Sequence, residues 1–160
     1  MTRPPSQPRL TTLFQKNIME LSFDYERKYV MKEVYEFLKK CNTYYLATMD
    51  GDQPRVRPFG TVNLFEDKLY IQTGKSKSVS EQIQKNPKVE LCAFDGEKWL
   101  RVSGTLVRDD RFEPKKDMLD HYPHLQRMYS PSDDNTEVLY FKDAVAVFSS
   151  FTEPPKTITF

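Results

Sequence analysis

Two hydrophobic periods alternate along the chain. Across Tyr29–Cys41, residues Val30, Val34, Phe37, Leu38 and Cys41 recur at spacings of three and four, one face of an amphipathic helix that ends near Asn42. The period then shortens. "YYLATM" (44–49), the turn-forming "DGDQP" (50–54) and "RVRPFGTVNLF" (55–65) predict two strands in a hairpin. Glu66-Asp67-Lys68 forms a turn into "LYIQT" (69–73), whose aromatic and β-branched residues predict a third strand. Helical spacing returns with Val79, Gln82 and Ile83 in a short helix over 78–85, stopped by Asn86-Pro87. "KVELCAF" (88–94) and "WLRVSGTLV" (99–107) predict another strand pair, and "RFEPKKDMLDHY" (111–122) a helix begun by Pro114. After a polar loop over 130–136, "VLYF" (138–141) and "AVAVFSSF" (144–151) predict two closing strands about a Lys142-Asp143 turn. The chain reads as mainly β with helices inserted at the connections. About six or seven mostly antiparallel strands favour a small closed barrel, because closure removes exposed edges.

Composition narrows the classes of function. A length of 160 residues supports one domain with its own core, expected over 29–160. Residues 1–28 read as a flexible leader, since Pro4, Pro5 and Pro8 lie among few apolar residues. Lys plus Arg number 24 against 23 Asp plus Glu, so no broad field attracts nucleic acid or a membrane surface. Apolar runs such as "AVAVF" (144–148) fall far short of the roughly 20 residues that span a bilayer. No secretory-type apolar segment is evident, and the two cysteines, Cys41 and Cys92, lie in different elements, so a cytoplasmic setting is expected. His121 and His124 flank Pro123 without an accompanying thiol or carboxylate set, and no metal site is expected.

The stretch "LYIQTGKSKSV" (69–79) spells the end of a nucleotide-binding P-loop in Gly74-Lys75-Ser76. That motif needs another glycine five residues earlier, where Leu69 stands, so the triphosphate reading fails. The loop still suits a phosphate. Lys75 and Lys77 supply cations, Ser76 and Ser78 hydroxyls, and the following helix its free N–H groups. The plainer alternative is that Ser78 caps the helix and the lysines are solvated. On the second strand Arg55 and Arg57 alternate with Val56, which turns both guanidiniums to one side; one converges on the same anion, or both face water. Pro58 and Gly60 place a bared backbone at an edge or bulge, against which a flat ring can lie.

The ordered series "DGDQPRVRPFG", "LYIQTGKSKSVSEQIQKNPKVEL" and "VSGTLV" resembles the FMN-binding split barrel of the pyridoxamine 5′-phosphate oxidase superfamily, in its nitroimidazole-resistance and general-stress branches. The resemblance covers about 31–160. It implies a homodimer with FMN at the interface, backbone and side chains of Arg57, Pro58 and Phe59 along the flavin ring, and Thr73 near the phosphate. The oxidase branch holds that phosphate with serine, arginine and lysine, where this chain has Lys77, Ser78 and Val79; Lys75 and Lys77 are expected to replace the missing cations. Trp99 falls where the partner subunit's strand meets the ring, and the core is its other reading. The tail "AVAVFSSFTEPPKTITF" lacks the late arginine and histidine that hold pyridoxal phosphate, which argues against pyridoxamine 5′-phosphate oxidase activity itself.

The expected cofactor-binding set is therefore Arg55, Arg57, Pro58, Phe59, Gly60, Thr73, Lys75, Ser76, Lys77, Ser78 and Trp99, with no side chain standing out as a catalytic acid or base. The implied function is an FMN-dependent oxidoreductase that passes electrons from NADH or NADPH to a small aromatic or nitroaromatic acceptor. A non-catalytic flavin- or haem-binding module and a barrel without cofactor are the alternatives.

Overall fold

The structure is a computed structural model that describes residues 10–160, with side chains from Leu13 onward. Helix α1 (Leu10–Cys41) stops where Asn42 takes a φ of 61°, a left-handed conformation that asparagine tolerates. Its C-terminal half carries the predicted face: Val34 and Leu38 are buried, with Val30, Phe37 and Cys41 at the core margin, and Met31, outside that pattern, is buried as well. The helix extends well beyond that face. Residues 10–28, expected as leader, are helical, because elongation from an anchored segment adds a backbone bond per residue without a new nucleus. The first nine residues of the expected leader lie outside the described residues.

Eight strands follow: β1 (Tyr44–Asp50), β2 (Gln53–Phe59), β3 (Asn63–Phe65), β4 (Lys68–Gly74), β5 (Lys88–Phe94), β6 (Lys98–Asp109), β7 (Thr136–Ser150) and β8 (Lys156–Thr159). Helix α2 (Ser78–Lys85) lies between β4 and β5, and α3 (Phe112–His121) with a 3-10 turn (Pro123–Arg127) between β6 and β7. Pairing runs β2-β1-β5-β6-β7-β4-β3, with β8 beside β7, and the pairs are antiparallel. The path thus begins and ends on strands joined only by Gly60–Val62, and the sheet curls into a barrel split between them. Two tyrosines fix that linker. Tyr44 Oη donates to the Thr61 carbonyl at 2.7 Å, while Tyr122 Oη accepts the Val62 N–H at 3.0 Å and donates to its carbonyl at 2.9 Å.

Three details depart from the sequence pattern. The stretch 55–65 divides into β2 and β3, since pairing with β1 ends at Phe59 and the backbone groups of Thr61 and Val62 are held by tyrosine hydroxyls instead of a ladder. Lys142-Asp143 is a bulge inside the continuous β7 rather than a turn: the register steps from Ser103↔Val145 to Thr105↔Lys142, and Asp143 takes a φ of 52°. Gly104 makes room for it, as a Cβ there would lie 3.2 Å from both Cα and Cβ of Ala144. Finally, β8 was not expected, because "KTIT" carries one apolar residue, Ile158, which is buried against the main core.

Leu46, Leu69, Ile71, Leu91, Leu100, Val102, Leu139 and Ala146 fill the barrel. Each large member of this set contributes about 1.5–3 kcal/mol by leaving water. A second cluster of Tyr70, Met118, Tyr122 and Val138 lies on the other face of β4 and β7, beneath α3. Strand β4 is therefore covered on both faces. Alternation sends Leu69, Ile71 and Thr73 to the barrel interior and Tyr70, Gln72 and Gly74 to the α3 side.

Candidate functional site

The two ends of the split meet the start of α2 at a cleft of ≈ 300 Å³. One wall is the run Arg57–Thr61, the floor is the end of β4 at Gln72 and Thr73, and Lys77 with Val79 closes one side. Leu125, Met128 and Tyr129, in and just after the 3-10 turn, close the other. Arg57, Pro58, Phe59, Gly60, Thr73 and Lys77 of the expected set are thus brought together.

Arg57 reaches inward from the edge strand β2. Its Nη1 donates to Thr48 Oγ1 at 2.5 Å and to the Leu46 carbonyl at 3.2 Å, and its Nη2 to Gln82 Oε1 at 2.7 Å. Burial, helped by nearby Arg55, lowers its pKa, and a guanidinium remains charged regardless. Gln82 thereby ties α2 to the barrel wall, also accepting from Thr48 Oγ1 at 2.7 Å. Lys77 sits at the N-cap of α2 and no side chain caps the helix there, so the reading of Ser78 as a cap does not hold. Ser80 N–H donates back to the Lys77 carbonyl at 3.0 Å, which leaves the N–H groups of Ser78 and Val79 and the positive end of the helix dipole for an anion.

Gln72 is the residue the sequence reading missed. Only 5% exposed, it lines the cleft, and neither its Oε1 nor its Nε2 has a hydrogen-bond partner. Leaving such groups unpaired costs about 1–3 kcal/mol. Both atoms are closed off from solvent, so a ligand edge presenting a neighbouring donor and acceptor would satisfy them once the side chain turns into the cleft. The only signal in the sequence was a polar amide closing the apolar run Leu69–Ile71. Leu125, Met128 and Tyr129 gave none, since a 3-10 turn has no long period. Gly74 lets this segment approach, for a Cβ there would lie 3.2 Å from the Tyr129 ring and 3.1 Å from the Asn135 amide.

The remaining expected residues lie apart from the cleft walls. Arg55 pairs with Asp50 at 3.3 Å by the β1–β2 turn. Lys75 pairs with Asp110 at 2.8 Å, holding that carboxyl below its ordinary range. The Ser76 N–H is bound by Asn135 Oδ1 at 2.9 Å, and Ser78 opens α2 in solvent. Trp99 packs against Phe151, ring centres 5.1 Å apart and planes tilted by 56°, beside Phe94 on the outer face of the sheet.

The end of β6 braces this region. Arg108 donates through Nε to Glu137 Oε1 at 2.5 Å and through Nη2 to Ser80 Oγ at 3.3 Å, joining β6, β7 and the first turn of α2. Arg111 bridges Asp109 at 2.7 Å and Glu66 at 2.8 Å, and Tyr70 Oη donates to Asp109 at 2.8 Å. Arg111, and secondarily Tyr70, outweigh burial and hold Asp109 down at about 2. A depressed carboxylate stabilises the fold above its unfolded pKa and loses that contribution as pH falls through the folded value. Between pH ~4 and ~2 the protein is therefore expected to lose about 2 kcal/mol that Asp109→Asn does not lose, read by urea denaturation at each pH.

The sequence profile described as pyridoxamine 5′-phosphate oxidase matches residues 30–143. The chain belongs to this family. A NimC/NimA family protein from Clostridium acetobutylicum, solved by crystallography, is 40% identical, covers 86% of this chain and 96% of its own, and superposes with a TM-score of 0.82. This similarity places the chain in the nitroimidazole-resistance and general-stress branch. General Stress Protein 26 from Bacillus anthracis shares the fold at 18% identity, with a TM-score of 0.64 over 81% of this chain and 98% of its own. A haem-binding protein from Mycobacterium smegmatis shares it at 11% identity, with a TM-score of 0.60 over 77% and 57%. No curated protein matches. Among the described residues no helix is long and apolar enough to cross a membrane, and no group of three or more His, Cys, Asp or Glu is placed to hold a metal ion.

Proposed function

We propose that the cleft binds FMN and that the protein is a cytoplasmic, homodimeric FMN-dependent oxidoreductase, passing electrons from NADH or NADPH to a small aromatic or nitroaromatic acceptor. The observation that carries this reading is the meeting of Lys77, the open start of α2 and the unpartnered amide of Gln72 in one cleft beside the bared backbone 57–61. When bound, the flavin supplies the redox chemistry. The chain's residues do the rest. Lys77 and the α2 N–H groups hold the phosphate, with Ser78 and Thr73 beside it; Gln72 and the backbone at Pro58–Gly60 hold polar edges of the ring; Met128 and Tyr129 exclude water. The cleft walls carry no carboxylate and no imidazole, which suits hydride transfer better than proton abstraction.

A volume of ≈ 300 Å³ is at the small end for a cofactor site, so a second subunit is expected to complete it. Tyr45, Val56 and Phe94 stand exposed on the outer face of β1, β2 and β5, and Trp99 on β6 stands beside Phe94, which favours burial of that face against a partner. Trp99 would then reach the partner's flavin from there. Lys75 and Ser76 shape the loop, and Arg55 stays at the rim. A second reading, a non-catalytic haem- or flavin-binding module, draws on Met128 and Tyr129, both of types that ligate haem iron. Anaerobic addition of NADH or NADPH to the FMN-loaded protein decides between them: the flavin band bleaches in an oxidoreductase, and a band that persists with both nucleotides contradicts the enzymatic reading.

A further inference from the structure

Helix α3 buries a lysine that the fold only half satisfies. Lys115 is 5% exposed, yet the one carboxylate near its ammonium among the described residues, Asp110 Oδ1, is 3.7 Å away, beyond hydrogen-bond length. A buried charge is costly unless an opposite charge is hydrogen-bonded to it. Lys75 already holds the same oxygen at 2.8 Å, so two ammoniums share one carboxylate and one positive charge is left over. Lys75, and with it Lys115 and Arg108, outweighs partial burial and keeps the Asp110 carboxyl below its ordinary range. That carboxylate is also replaceable. Its side chain is 57% exposed and can turn into water, leaving both cations to a stronger anion. The cleft does not use them: of the two loop lysines only Lys77 stands on its walls, and Arg108 is engaged by Glu137.

We propose that Lys75 and Lys115 form a second anion subsite beside the cleft, that it takes the 2′-phosphate of NADPH, and that it selects this nucleotide over NADH. The identity of the ligand rests on the oxidoreductase reading above; the subsite itself rests on Lys115. A phosphomonoester carries close to two negative charges and three acceptor oxygens, enough to serve both ammoniums where one carboxylate oxygen serves only Lys75. Its place also fits. Only Ser76 separates Lys75 from Lys77, so their backbones are at most about 7 Å apart, and the loop carries one cation toward the cleft and one toward Asp110. The loop is held in that form: Lys75 N–H donates to the Asn135 carbonyl at 2.7 Å, Ser76 N–H to Asn135 Oδ1 at 2.9 Å and Lys77 N–H to the Gly74 carbonyl at 3.0 Å. A molecule that brings a nicotinamide to the flavin and carries a phosphomonoester at its other end spans the two positions. NADH has a hydroxyl in place of that phosphate and gains nothing from the ammoniums.

The test is calorimetric titration of the full chain, in saturating FMN, with adenosine 2′,5′-bisphosphate and with 5′-AMP, which differ only in the 2′-phosphate. The expected result is binding of the bisphosphate at least tenfold more tightly than 5′-AMP, and loss of that difference in Lys115→Met, which keeps the apolar stem and removes the charge. Lys75→Met is the second variant, with the same expectation, should Lys115→Met fail to fold. Equal affinity for the two nucleotides, or a preference that both variants retain, overturns the subsite. Inorganic phosphate that binds as tightly as the bisphosphate and displaces it assigns the lysines to a small anion and equally overturns the proposal. In anaerobic flavin reduction, kcat/KM for NADPH is expected to exceed that for NADH at least tenfold, with Lys115→Met raising KM for NADPH. The two readings fail separately: a bisphosphate preference lost in Lys115→Met, with a flavin band that neither nucleotide bleaches, keeps the subsite and removes the oxidoreductase.

Discussion

Arg108→Leu is expected to destabilise the fold by about 3–5 kcal/mol, the cost of leaving a buried charge without its partner. Glu137 is only 1% exposed, and its Oε1 is held by the Arg108 guanidinium, while Oε2 has no partner. Removing Arg108 leaves the whole carboxylate uncompensated between β4 and β7, where Glu137 pairs with Thr73. The double variant Arg108→Leu with Glu137→Leu is expected to recover most of the loss, since a hydrophobic pair of similar volume often equals a buried ion pair. Urea denaturation of the two variants checks this. Equal stability of Arg108→Leu and the unsubstituted protein would remove the pair as a brace for α2.

The second large effect concerns the cleft. Lys77→Ala is expected to weaken FMN binding at least about tenfold, as a charge-assisted contact is worth ~1.5–3 kcal/mol. Lys75→Ala is expected to have the smaller effect, because Asp110 already engages that ammonium. Gln72→Leu should separate stability from binding. Removing an orphaned amide from a buried wall stabilises the free protein by about 1 kcal/mol, whereas FMN loses a donor and an acceptor and binds about tenfold more weakly. A variant that binds FMN unchanged would take Gln72 out of the site. Fluorescence titration with FMN measures both the lysine and the glutamine effects.

Which of these features were legible in the sequence follows from the range of the interactions that make them. The helical face of Val30–Cys41, the two-residue alternation of β1 and β5 and the Pro-stopped α2 are local patterns, and each appears where its pattern stands. The meeting of Arg57–Gly60, Thr73 and Lys77 was legible only through the order of motifs shared with the family. Features set by long-range packing were not. Gln72 is exceptional because of what fails to surround it, and Lys75 is drawn to Asp110 across 35 positions of sequence that no local period encodes. The bulge at Asp143 depends on Gly104 in another strand, so Lys142-Asp143 looked like a turn. Residues 10–28 have large apolar residues on several faces, so no single stripe marked them as a helix.

The central claim is that the cleft between 57–61, Gln72 and Lys77 holds FMN. Titrating the purified full chain with FMN, followed by gel filtration and an absorbance spectrum, tests it most directly. The account predicts that stoichiometric flavin bands co-elute with the protein and that they diminish with Lys77→Ala and Gln72→Leu. A protein that emerges colourless from saturating FMN would contradict it.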